Sequence, residues 1–68
     1  MNFDSEKLGN DLKVFQMKES LTLYDLRDKT GINVPTLSRI RNGKDSALFI
    51  EVAILSDLMK KPLKRYIK

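Results

Sequence analysis

The 68-residue chain has no His and no Cys. That removes the commonest general base, the thiolate nucleophile and the commonest metal ligand. No paired carboxylates fall on a concave surface, so no catalytic residue, metal site or cofactor is assigned, and an enzyme is not expected. The chemistry the chain does offer is recognition, concentrated between Val34 and Lys44. Val34, Pro35, Thr36 and Ser38 are short; Arg39, Arg41, Asn42 and Lys44 are longer, and three of them are basic. A guanidinium fork such as that of Arg39 matches guanine O6/N7, and the methyl groups of Val34 and Thr36 suit a thymine methyl.

The charge balance points the same way. Lys and Arg number 13 and Asp and Glu 9, a net of +4. Residues 1–28 hold four basic and six acidic side chains, a net of −2; residues 29–68 hold nine basic and three acidic, a net of +6. Positive charge gathered on one part of a domain suggests a polyanionic partner, nucleic acid before membrane; the plainer alternative is a basic, well-solvated protein. With 41% hydrophobic and 32% charged residues the chain has an ordinary globular balance. The longest apolar runs, Ala47–Ile50 and Val52–Leu55, are split by Glu51. They are far short of the roughly 20 residues a membrane span needs, so a soluble cytoplasmic protein is expected.

Five helical segments must position these residues, and nothing alternates as a strand would. The first, about Ser5 to Lys18, is capped by Asp4 or Ser5 and aligns Leu8, Leu12 and Phe15 on one face, with Gly9 weakening its interior. Thr22-Leu23-Tyr24-Asp25 forms a capping box for the second, Leu21 and Leu26 form a hydrophobic staple, and Gly31 stops the helix. Asn33 caps the third, Pro35 is tolerated in its first turn, Ile32 and Leu37 form a second staple, Leu37 and Ile40 point inward, and Gly43 ends it. The fourth is expected from about Ser46 to Met59 with Ala47, Ile50, Ile54 and Leu58 buried, leaving Phe49, Val52 and Met59 on a second apolar face. The fifth runs from Pro62 to about Ile67.

Only Gly31, Ile32 and Asn33 join the second and third helices. So short a connection forces them to cross at roughly 90–120°. This is a helix-turn-helix, over about residues 22–42, and it leaves the outer face of the third helix uncovered. Val34, Pro35, Thr36 and Arg39 are the expected base contacts. Thr22 and Asn33 at helix starts, with Ser38, Arg41, Asn42 and Lys44, are the expected phosphate contacts. Lys60, Lys61, Lys64, Arg65 and Lys68 read as a solubilising tail or as cations lying along flanking DNA. Leu63, Tyr66 and Ile67 form an apolar patch expected to close the core or to pair two subunits.

The order Leu8, Leu12, Leu21-Thr22, Leu26, Gly31-Ile32-Asn33, Leu37, Ile40, Asn42-Gly43-Lys44, Ile54 and Leu58 resembles the lambda-repressor-like helix-turn-helix domains of phage repressors, Cro proteins and related bacterial regulators. The resemblance runs from Leu8 to about Ile67. It implies an all-α fold, a compact five-helix domain occupying residues 1–68. It also implies a third helix in the major groove of double-stranded DNA, binding as a homodimer to a two-fold operator, and a bacterial or phage-infected cytoplasm. The chain departs from the family pattern at Leu23 and Val34, where Gln is frequent, at Arg27, where a small Ala is usual, and at Arg41, which replaces a Glu and faces Gln16. The competing expectation is a protein-interaction module or antitoxin-type regulator of the same fold, meeting a protein partner through the fourth or fifth helix.

Overall fold

Each of the first three helices begins where a side chain can accept an otherwise orphaned amide. In the computed structural model, which describes residues 2–44 and 47–68, Asp4 accepts the Lys7 N–H at 3.0 Å and opens α1, Ser5–Lys18. The Thr22 hydroxyl accepts the Asp25 N–H while the Asp25 carboxylate accepts the Thr22 N–H, and this reciprocal box opens α2, Leu23–Thr30. The Asn33 side chain accepts the Thr36 N–H at 2.9 Å and opens α3, Val34–Arg41. Gly31 closes α2 in the left-handed region at φ 77, where glycine carries no Cβ penalty.

The fourth helix, α4, is Phe49–Met59. Its expected start at Ser46 lies outside the described residues, but Ala47 and Leu48 are described and precede the helix. The Leu48 side chain cannot cap; the Glu51 carboxylate accepts the Leu48 N–H instead at 2.9 Å. The expected buried stripe is corrected at Ile50, which is 60% exposed. Ala47 is buried as expected and Ile54 and Leu58 are partly buried against the core, but the helix residues that lie fully inside are Val52, Leu55, Ser56 and Met59. Buried Ser56 is tolerated because its hydroxyl donates to the Ala53 carbonyl at 3.1 Å. The last segment is one 3₁₀ turn, Leu63–Tyr66, with Pro62 ahead of it. It cannot lengthen because Ile67 is drawn into an antiparallel bridge with Phe3. The fold is all-α, with no strand among the described residues beyond that bridge. No helix among them is long and apolar enough to cross a membrane.

The core is assembled from every element: Leu8 and Leu12 of α1, Leu26 of α2, Leu37 and Ile40 of α3, Val52, Leu55 and Met59 of α4, and Tyr66 of the turn. Two contacts fix its frame. At Gly9, α1 passes so close to the end of α3 that a Cβ would sit 2.8 Å from the carbonyl oxygens of both Ile40 and Arg41. At the other end of the chain, the Tyr66 hydroxyl donates to Asp11 Oδ2 at 2.7 Å, and Arg65 grips the same carboxylate through Nε at 2.7 Å and Nη2 at 3.3 Å. Tyr66 is fully buried, so of its two expected roles it takes core closure, and it is not exposed for pairing with a second subunit.

Two outcomes follow. Gly9→Ala gains helix propensity yet should lose about 1–3 kcal/mol to overpacking against backbone that cannot rotate away. Gly31→Ala, with nothing within 4 Å of the new methyl, should lose only about 1 kcal/mol for its positive φ. Urea denaturation of the two variants checks the order. The Arg65 hydrogen bond, with a second from Tyr66, holds the Asp11 carboxyl below its ordinary 3.8 against the opposing effect of burial. A depressed carboxylate stabilises the fold above its unfolded pKa and loses that contribution as pH falls through the folded value. Melting temperature should therefore fall below about pH 4, and Asp11→Asn should flatten that limb while lowering stability at neutral pH.

Candidate nucleic-acid interface

Because Leu37 and Ile40 are buried and α1 abuts the end of α3, one side of α3 is fixed inward. The opposite side then carries the residues picked out by spacing. Pro35, Arg39 and Asn42 are exposed, and Val34, Thr36 and Ser38 are half-buried. The leading end is small and apolar and the trailing end is basic, so a flat surface can approach the first turn closely. The helix ends on Gly43 at φ 68, with the Lys44 N–H returning to the Arg39 carbonyl at 3.1 Å. That turn places exposed Lys44 beside Asn42.

The side chains differ in how far they are committed elsewhere. The Arg39 Nη2 donates to the Thr36 hydroxyl at 3.5 Å, a long contact, and Arg39 has a further interaction as well. Asn33 is exposed, and the oxygen of its side chain is the cap of α3. The Thr36 amide is taken by that cap and Pro35 has no N–H, so Val34 supplies the amide still open in the first turn. Thr22 fits its expected role poorly: its amide and hydroxyl are both engaged by Asp25. The Thr22 amide in turn holds the Asp25 carboxyl below its usual range, so a negative charge stands where a phosphate would approach.

Arg41 is half-buried, and its Nε is buried with no hydrogen-bond partner; the same holds for Gln16 Oε1. The contact expected between these two side chains is therefore not made through those atoms. Of the expected apolar patch at the C-terminus, Leu63 is half-buried, Tyr66 is buried and Ile67 is 38% exposed. The larger apolar surface lies elsewhere: Leu48 is 65% exposed, Phe49 53% and Ile50 60%, with the Phe3 ring tilted at 45° against Phe49 at 6.1 Å between ring centres. Sequence reasoning placed Phe49 on a second apolar face but counted Ile50 as core. The cation cluster near the C-terminus also divides, since Arg65 is tied to Asp11.

Compared with protein-family models, curated proteins and solved structures, the chain matches none.

A buried donor without an acceptor costs about 1–3 kcal/mol. Arg41→Met keeps the volume and removes the donor, so its melting temperature should equal or exceed that of the parent chain. A drop of several degrees in a thermal melt would show that the guanidinium has a structural task.

Proposed function

We propose that this chain is a lambda-repressor-like helix-turn-helix DNA-binding domain, α2 and α3 forming the motif, and that it regulates transcription by occupying a specific duplex site. The observation that carries the reading is α3 itself: an anchored inner edge, and an outer face that is small at its start, basic toward its end and without a carboxylate. In this reading α3 enters the major groove. Val34, Pro35 and Thr36 meet base edges, and Arg39 exchanges its long Thr36 contact for guanine O6/N7. Asn33, Ser38, Asn42 and Lys44 meet phosphates, with Arg41 able to join them, and Thr22 is left out because Asp25 occupies it.

The domain acts as a homodimer on a two-fold site, and we place the contact at Leu48, Phe49 and Ile50 with Ile67. Two copies of a chain with net charge +4 repel one another, and this uncharged apolar surface lets them meet without placing like charges face to face. The same exposed residues favour the second reading, a protein-interaction or antitoxin-type module of this fold, if no duplex is bound.

Selection of bound sequences from random duplex DNA tests the two readings together. An enriched inverted repeat is expected, with log affinity falling against log salt by about 0.9 per phosphate contacted. Arg39→Ala should cost roughly 1–3 kcal/mol and relax preference at one base pair. No enrichment, or a flat salt response, removes the DNA reading.

A further inference from the structure

Away from α3, the second half of α1 and the end of α4 enclose a groove of about 510 Å³. Phe15, Leu21, Leu58 and Met59, buried or half-buried, are the inner part of its apolar lining, with Val14 exposed at its edge, and Lys18, Lys29, Lys60 and Lys61 complete it. No residue of α3 lines it. None of the four lysines makes a direct ion pair among the described residues. Of the two carboxylates in the wall, Asp11 is held by Arg65 and Tyr66, which leaves Glu19 against four ammonium groups.

A second feature singles out this place. Ser20 and Lys60, at φ 55 and 57, are the two non-glycine residues in the left-handed region among the described residues. Lys60 lines the groove, and Ser20 sits between the lining residues Glu19 and Leu21. Glycine would take either conformation without strain. At the end of α4 the chain instead carries a strained residue whose side chain is one of the four cations.

We propose that this groove binds an amphipathic, acidic helical segment of a partner protein. Apolar side chains three and four residues apart seat on the apolar lining, and carboxylates flanking them pair with the four lysines. The proposal does not depend on DNA binding, since the groove shares no residue with the outer face of α3. A second copy of this chain is the wrong sign for the lysines. A duplex has phosphates for the lysines but nothing to seat on the apolar lining, and an anionic bilayer is flat where this surface is recessed.

The test uses the isotope-labelled full chain and a synthetic peptide of about 16 residues, with Leu at helical spacing and Glu elsewhere. Two controls replace every Glu by Lys or every Leu by Ser. The acidic amphipathic peptide should shift the amides of Val14, Phe15, Leu58 and Lys60, and its affinity should drop about fivefold between roughly 0.05 and 0.3 M salt. The exposed double change Lys18→Glu with Lys60→Glu should weaken it about tenfold with the helical circular dichroism unchanged. Lys60→Gly should melt a few degrees higher yet bind more weakly. The proposal is overturned if no amide shifts, or if either control peptide binds as well as the first. Random duplex DNA or vesicles of one-part phosphatidylglycerol occupying the same amides more tightly would overturn it too.

Discussion

The fold turns on a place where one helix has no side chain. At Gly9 the backbone of α1 rests against the Ile40 and Arg41 carbonyls, at a distance no Cβ could share. Glycine inside a helix is unfavourable by about 0.8–1.0 kcal/mol relative to Ala, and the close packing of main chain on main chain offsets that loss. A contact of this kind has no rotamers. It sets the position of α3 more sharply than side chains alone could, and it does so at the end where Arg39, Arg41, Asn42 and Lys44 gather. Leu37 and Ile40 then need only fill the space beneath to fix which face of α3 meets solvent.

The chain's two ends complete the frame. A 68-residue chain without cysteine has no covalent cross-link to limit the unfolded state. Here the Asp4 N–H donates to the Tyr66 carbonyl at 2.7 Å and the Lys68 N–H to the Asn2 carbonyl at 2.9 Å. The Asp11 carboxylate gathers Arg65 and the Tyr66 hydroxyl from 54 and 55 residues away. Burial, then the Asp11 hydrogen bond, hold the Tyr66 phenol well above its usual range, so it remains a donor throughout the physiological interval. This closure puts a large aromatic ring in the core of a domain that has few others, and it removes Tyr66 from the surface.

Local chemistry was the legible part of the sequence. The caps Asp4, Thr22 and Asn33, the capping box with Asp25, the turn glycines Gly31 and Gly43, and the inward pair Leu37 and Ile40 all lie where residue type and spacing put them, because each depends on neighbours within four positions. The phase of α4 was not legible. It is apolar on nearly every side, so periodicity gives no direction, and the true inner stripe contains Ser56, a residue that pattern reading excludes. Its hydroxyl is satisfied within its own helix, which no spacing rule discloses. Asp11 with Arg65 and Tyr66 was hidden for another reason: the partners lie at opposite ends of the chain, and nothing local marks them. Gly9 was visible only as a weakness. For the candidate recognition residues, spacing identified which side chains share the outer face of α3, and the capping box already tied Asp25 to Thr22; the contact of Arg39 with the Thr36 hydroxyl is visible only in the geometry.

The surfaces left by this frame differ in chemistry, and α1 is the element they share. Gly9, Leu8 and Leu12 face the interior toward α3, while Val14, Phe15 and Lys18 face the lysine-lined groove. An occupant of that groove presses on the second half of α1, whereas α3 is held against the first half through a backbone contact with no alternative arrangement. Coupling between two sites needs an element with two discrete states that both sites bias. The Gly9 crossing offers none, because any slide brings main-chain atoms into collision. The two surfaces should therefore act additively, the groove bringing a partner to wherever α3 is seated, with communication limited to screened charge across the domain.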